Sequence, residues 1–269
     1  MGNGIAQVAA CCGMEVTMVD IKQEFLERGT SAISTSLERL VSKQRMSQQE
    51  AESAFARVST SVELESLSEC DLVVEAIPEI PELKFSTFSK LDSICNPKTI
   101  LASNTSSISI DEIASHTNRA ERVIGMHFMN PVPIMKLVEI INGGETSEEV
   151  TSDVVAASEE MGKIPLSCRD SPGFVSNRIL MPMINESILT LEEGVAEPEA
   201  IDGIMKLGMN HPIGPLALAD LIGLDTVLHI MHVLQKGMSS DKYAPADLLV
   251  RMVEEGKLGR KSGTGFYQY

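Results

Sequence analysis

The order of elements along this chain predicts an α/β domain with an open, doubly wound sheet, followed by an all-helical C-terminal domain. Two observations carry that reading. Up to about residue 169, short runs rich in β-branched residues alternate with longer stretches of helical period, the alternation that builds parallel strands joined by crossover helices. Beyond Pro172 no such run recurs, and one helical segment follows another, punctuated by Gly and Pro. With 269 residues, 43% of them hydrophobic, two ordinary cores are within reach, and the expected division is 1–169 and 170–269.

Each element has its own signal. Met1-Gly2-Asn3-Gly4 and the small apolar residues after it read as the first helix of a Rossmann-type dinucleotide-binding unit, and Glu15 to Asp20 as its second strand. That strand ends in an acid, where the fingerprint expects the carboxylate that binds the adenosine ribose of NAD; a lone Asp in that place is also an ordinary turn residue. Ile21 to Lys43 has a helical period, and Ser47 to Arg57 is a second, shorter helix. Asp71 to Ile77 is a buried strand, and the segment from Pro78 to Lys84 opens a helix that runs to about Ile94. Asn96-Pro97 marks a turn, after which Thr99 to Ser103, Arg122 to Met126 and Lys136 to Ile141 are strands. Asn142-Gly143-Gly144 turns into an amphipathic helix, Thr146 to Met161, and Gly162 to Leu166 leads into a last strand. A linker, Cys168 to Pro172, then gives way to helices over 174–193, 198–207, 215–221, 225–235 and 246–255.

The chemistry concentrates between Ala102 and Glu139. The cluster Ser103-Asn104-Thr105-Ser106-Ser107, then His127, then Glu139 each follow or interrupt a predicted strand, so strand ends can bring Ser106, His127 and Glu139 together. A carboxylate that accepts from one imidazole nitrogen leaves the other as a base, which acid/base chemistry on a hydroxyl or ketone requires. Taken singly, the polar cluster reads as a turn and the histidine as a structural residue.

The wording of the whole stretch resembles the 3-hydroxyacyl-CoA dehydrogenase family, including its short-chain 3-hydroxybutyryl-CoA members. The matching residues are Ser103-Asn104-Thr105-Ser106-Ser107, then His127-Phe128-Met129-Asn130-Pro131-Val132-Pro133 with Met129 as the one departure, and Met135-Lys136-Leu137-Val138-Glu139. The likeness continues in Asp170 to Arg178, in His211 to Pro215, in Asp220 to Asp225 and in Gly265-Phe266-Tyr267.

The resemblance implies NAD-dependent oxidation of an L-3-hydroxyacyl-CoA, with His127 as general acid/base, Glu139 orienting it and stabilising its charged form, and Ser106 and Asn177 holding the reacting oxygen. It further implies cofactor contacts at Gly2, Asp20, Glu79, Lys84, Ser106 and Lys261, CoA contacts at Ser36 and Lys43 on the helical arm, and a homodimer formed by the helical domain. Pro78 and Pro81 depart from the family's usual residues around Glu79. Gly2 matches the third glycine of the family's G-x-G-x-x-G, so the first strand is expected to be missing, through truncation or replacement, leaving a slot between neighbouring strands. Two rivals are weighed. Another β-hydroxyacid dehydrogenase would use a catalytic Lys and would lack the arm after Asp20, so the sequence argues against it; a shortened CoA-binding or dimerising fragment is excluded by no residue, and the intact set Ser106, His127, Glu139 and Asn177 stands against it.

A net charge of -16 argues against nucleic acid or a membrane surface as a partner. The five cysteines form no CxxC pair and no zinc-ligand spacing, so no metal is expected, and their odd number suits reduced thiols. No apolar run approaches a membrane span and no leader is legible, so a cytoplasmic protein is expected.

Overall fold

The computed structural model describes residues 1–269, whose contacts divide the chain into two units, Met1–Asp170 and Ser171–Tyr269. The first unit opens with α1 (Gly2–Cys11) and β1 (Val16–Val19), followed by α2 (Gln23–Ser42) and α3 (Gln48–Ala56). A capping box starts α3: the Ser47 hydroxyl accepts from the Glu50 N–H, and the Glu50 carboxylate accepts from the Ser47 N–H. Next come β2 (Val58–Ser61), β3 (Leu72–Glu75), α4 (Pro81–Ile94), β4 (Ile100–Ser103), α5 (Ile110–Ala114), β5 (Val123–Phe128), β6 (Leu137–Asn142), α6 (Glu148–Glu160) and β7 (Ile164–Arg169). Pro81 stands in the first turn of α4, where its missing N–H has no helical partner to lose. Ser147 caps α6 by accepting from the Val150 N–H.

The strands form two hydrogen-bonded sheets, β1-β2 and β3-β4-β5-β6-β7. β1 and β3 therefore each pair on one side only. One helix spans both sheets: Ala6 of α1 packs with Ile33, Leu37, Val16 and Met18, while Ile5 and Val8 pack with Ile100, Ile124, Leu72 and Val74. In the larger sheet β3, β4 and β5 run parallel, β6 turns antiparallel to β5, and β7 runs parallel to β6.

Side chains alternate across a strand with a period of two, and this sets the two faces of that sheet. Ala102, Ile124, Met126, Phe128, Val138 and Ile140 form one apolar layer against α1 and α6. The residues between them, among them Ser103, His127 and Glu139, point to the other face.

Three features differ from expectation. β2 is the segment Val-Ser-Thr-Ser, too polar to announce a strand, and it forms because pairing with β1 satisfies its backbone. α5, only five residues long, is started by Ser109, whose hydroxyl accepts from Glu112 N–H. Cys168 and Arg169, expected in a linker, are the end of β7, an edge strand whose Ser167 and exposed Ile164 and Leu166 hide the usual pattern.

The second unit contains α7 (Ser176–Glu192), α8 (Pro198–Gly208), α9 (Pro215–Ile222), α10 (Leu224–Met238) and α11 (Asp247–Glu254). Met181, Ile184 and Ile188 of α7 meet Leu216, Leu224, Val227, Met231 and Leu249 in one core. Two buried aspartates tie the helices to the C-terminal segment. Asp202 accepts from the Leu216 and Ala217 N–H groups at the start of α9 and from the Tyr267 hydroxyl; Asp220 accepts from Phe266 N–H, Tyr267 N–H and the Tyr269 hydroxyl. Burial, with Asp202 beside it, pushes the Tyr267 hydroxyl far above its ordinary pKa. No single helix in the chain is long and apolar enough to cross a membrane.

Gly125 in β5 faces Ile141 across the β5–β6 pair, and a Cβ built on it would lie 2.8 Å from the Ile141 Cβ and 3.0 Å from the Ile110 Cδ1. Gly125→Ala is expected to lower unfolding free energy by about 1–3 kcal/mol, the usual effect of overpacking. Urea denaturation of the two forms measures it, and equal midpoints would contradict this account of the strand spacing.

Candidate active site

The antiparallel pairing of β5 with β6 puts His127 directly opposite Glu139 on the face away from the apolar layer. The two side chains are buried, and His127 Nδ1 lies 3.0 Å from Glu139 Oε2. An ionised carboxylate only accepts, so Nδ1 carries the proton in that bond and Nε2 keeps its lone pair. The Ser106 hydroxyl is 3.0 Å from Nε2 and donates to it. A carboxylate, an imidazole and a hydroxyl thus stand in line, with the basic nitrogen at the serine end.

Glu139 lies inside its strand, β6, as expected, and it is the antiparallel register of β6 on β5 that sets it beside the histidine.

The loop after β4 carries Ser106, and a buried ionic network holds that loop. Glu79 Oε1 accepts from the Thr105 hydroxyl at 2.5 Å, from the Ser106 N–H at 2.9 Å, and from both the N–H and the hydroxyl of Ser107 at 3.0 and 2.9 Å. Lys84, fully buried on α4, places its ammonium 3.3 Å from Glu79 Oε2 and 2.6 Å from Glu75 Oε1. Glu75 also accepts from the Ile77 N–H and the Ser103 hydroxyl. Asn104 Oδ1 accepts from the Phe128 N–H, tying the same loop to the end of the histidine strand. Burial alone would raise the Glu79 carboxyl. The Thr105 hydroxyl, the Lys84 charge and the Ser106 and Ser107 donors outweigh that effect and hold it below its ordinary value.

The remaining expected residues occupy separate places. Gly2 begins α1, which has no side-chain cap and no acid in its first turn, and a Cβ built on Gly2 would lie 3.8 Å from the Cβ of Ala76, just after β3. Asp20 follows β1, is exposed, and accepts from its neighbour's N–H at Ile21. An open helix N-terminus and an acid past a strand end are the features that hold a dinucleotide, so these residues fit one. Ser36 lines an open groove along α2 with Arg28, Ser31, Thr35 and Arg39, and Lys43 caps the end of that helix. Asn177 is buried in the first turn of α7 in the second unit. Lys261, also in that unit, forms an ion pair with Asp225. Lys84 was expected to meet the cofactor; its ammonium is enclosed by Glu75, Glu79 and the Ile77 carbonyl, so it acts on the site through Glu79.

Sequence reasoning missed Glu75, Ser103 and Thr105 as network members. A signal existed for Glu75: a carboxylate inside a buried apolar strand requires a partner.

Comparison with known proteins places this architecture. A family model described as 3-hydroxyacyl-CoA dehydrogenase, NAD binding domain, matches residues 1–171, and the C-terminal domain of the same family matches 173–269. The chain is 56% identical to the probable 3-hydroxybutyryl-CoA dehydrogenase of Deinococcus radiodurans, over 100% of this chain and 96% of that one. It is likewise 56% identical to the enzyme of that name from Bacillus subtilis, over 100% of this chain and 94% of the relative. Among solved structures, (S)-3-hydroxybutyryl-CoA dehydrogenase from Ralstonia eutropha superposes with a TM-score of 0.98 at 50% identity, over 100% of this chain and 95% of that one. Full-length matches to both domains, together with a carboxylate–imidazole–hydroxyl line beside a dinucleotide-type helix, show that this chain belongs to the 3-hydroxyacyl-CoA dehydrogenase family of NAD-dependent oxidoreductases acting on CH–OH groups.

Proposed function

We propose that this chain catalyses the reversible oxidation of a short-chain L-3-hydroxyacyl-CoA, of the 3-hydroxybutyryl-CoA kind, to the 3-oxoacyl-CoA. The observation that carries the reading is the line Glu139–His127–Ser106, with the lone pair of Nε2 presented at the serine. NAD, when bound by the N-terminus of α1 and by Asp20, supplies the acceptor for hydride. The protein's own part is the proton. His127 Nε2 takes it from the 3-hydroxyl during oxidation and returns it during reduction. Glu139 fixes the tautomer in which Nε2 carries the basic lone pair and offsets the positive charge that forms when the proton arrives.

When substrate takes the place beside Nε2, the Ser106 hydroxyl turns its one donor from Nε2 to the reacting oxygen, and its aim depends on Glu79, which holds the backbone N–H groups of Ser106 and Ser107. Lys84 keeps Glu79 ionised and in place from inside the domain. Asn177 is assigned to the same oxygen by the family resemblance alone. Ser36 and Lys43 are assigned to the CoA moiety by the family resemblance; the groove beside Ser36 carries Arg28 and Arg39 together with Glu24 and Glu27. A homodimer formed through the helical unit is supported by the exposed Ile204, Leu207 and Met209 on and after α8. A reducing cytoplasm suits the thiols of Cys11, Cys12, Cys70 and Cys95.

The test of the function is NADH consumption with acetoacetyl-CoA. His127→Asn is expected to lower kcat by about 10²–10⁴-fold, the usual share of a general acid/base, and Glu139→Gln to lower kcat with little effect on either KM. A well-folded chain that binds CoA esters but never oxidises NADH would leave a CoA-binding protein as the better description.

Acid stability follows from Glu79. Its folded-state pKa is depressed, so its contribution is present at neutral pH and is lost as the pH falls through and below its ordinary value of 4.5. Glu79→Gln is expected to flatten the loss of stability in that acid range and to lower kcat by misplacing Ser106. Denaturation curves at several pH values decide it; an unchanged slope would show that other carboxylates govern acid unfolding.

Sedimentation equilibrium is expected to give twice the chain mass. Leu207→Glu, at a side chain 90% exposed, should shift the species to monomer if α8 lies in the contact.

A further inference from the structure

Lys163 is a buried cation that the mechanism does not use. It stands between α6 and β7, is 8% exposed, and forms no ion pair with any carboxylate. Burying an uncompensated ammonium costs several kcal/mol even after relaxation, so what it holds must offset that cost. Its Nζ donates to the Val132 carbonyl at 2.5 Å and to the Met135 carbonyl at 2.9 Å. Hydrogen bonds from an ionised donor are about twice as strong as neutral ones.

Both carbonyls belong to the turn that joins the histidine strand to the glutamate strand. Within it the Ile134 and Met135 N–H groups both donate to the Pro131 carbonyl, forming a single compact turn. The outer side of the turn rests on the first turn of α1: a Cβ built on Gly4 would lie 3.0 Å from the Val132 Cβ and 3.5 Å from the Pro133 Cδ, and Val132 is only 2% exposed. Glycine at position 4 admits this close approach. The turn is therefore held on two sides, by Lys163 and by α1, and it connects the strand bearing His127 to the helix N-terminus assigned to the dinucleotide phosphates.

We infer that Lys163 is a positioning residue for the dinucleotide: its ammonium presses the Pro131–Met135 turn against the first turn of α1 and so sets the spacing between that helix N-terminus and His127. This rests on the proposed dehydrogenase function. Sheet pairing already fixes His127 relative to Glu139, so losing Lys163 should disturb cofactor placement and leave the acid/base pair intact.

Two variants test it. Lys163→Met removes the donors, whereas Lys163→Gln keeps an amide that can donate to both carbonyls without a charge. In Lys163→Met the KM and Kd for NADH are expected to rise about tenfold, within the range that small misplacements produce, while the KM for acetoacetyl-CoA stays unchanged. Hydrogen exchange should accelerate at the Ile134 and Met135 amides and remain slow along Val123–Phe128. Lys163→Gln should recover most of the NADH affinity and the slow exchange.

An unchanged Kd for NADH in a folded Lys163→Met protein would overturn the inference. So would a loss of affinity for both substrates with exchange accelerated across the whole first unit, or a failure of both variants to fold; either result would make Lys163 a general stability residue. If the unaltered chain binds no NADH, the dinucleotide reading and this inference fall together. If it binds NADH normally and only the Lys163→Met prediction fails, the assignment of Lys163 alone is wrong.

Discussion

Antiparallel pairing between β5 and β6, in the register that sets His127 against Glu139, is the constraint on which the candidate site depends. Strand alternation then does two things at once. It sends Ile124, Met126, Phe128, Val138 and Ile140 into the apolar layer, and it sends His127 and Glu139 to the opposite face as a buried pair. A slip of one residue would turn both sets inside out, so the hydrophobic layer that stabilises the sheet also enforces the geometry of the acid/base pair. Gly125 permits the strands to lie as close as they do opposite Ile141.

The third member of the line is held by charge rather than by register. Ser106 lies on a loop, and loops position side chains poorly unless something inside the domain grips them. Here the grip is Glu79, which collects donors from three consecutive residues and is itself held beside a fully buried lysine. Lys84 is shared with Glu75, whose second oxygen takes the Ser103 hydroxyl at the end of the strand that leads into the loop. Every polar atom in this network has a partner, which is the condition under which buried charges rigidify a site instead of weakening it. Lys163 plays a comparable part on the other side, capping carbonyls of the turn between the two site strands.

Much of this was legible before folding. Alternating apolar runs and helical segments announced an α/β unit followed by helices, and Pro81, Pro198 and Pro215 each stand in the first turn of a helix, as turn chemistry requires. Ser106, His127 and Glu139 were recognisable as candidates because each interrupts or follows an apolar strand with a group capable of proton chemistry. What escaped was local structure with weak signals. The strand Val58–Ser61 is mostly polar and exists through pairing with β1; α5 is a short helix; β7 is an edge strand whose exposed face breaks the alternation. Glu75, Ser103 and Thr105 looked like ordinary strand and turn residues because their importance lies in partners 28, 28 and 26 positions away in the chain.

The sequence by itself determined the class of fold, the helical nature of the second unit, the residue types able to move a proton and the family resemblance, because these depend on period, composition and local wording. Only the tertiary structure decided that β6 runs antiparallel to β5, that Lys84 is enclosed between Glu75 and Glu79 rather than presented at the surface, and that Lys163 caps the turn packed on α1. Those are consequences of register and of burial, which bring together groups far apart in the chain and make an unpaired charge too costly to leave without a partner.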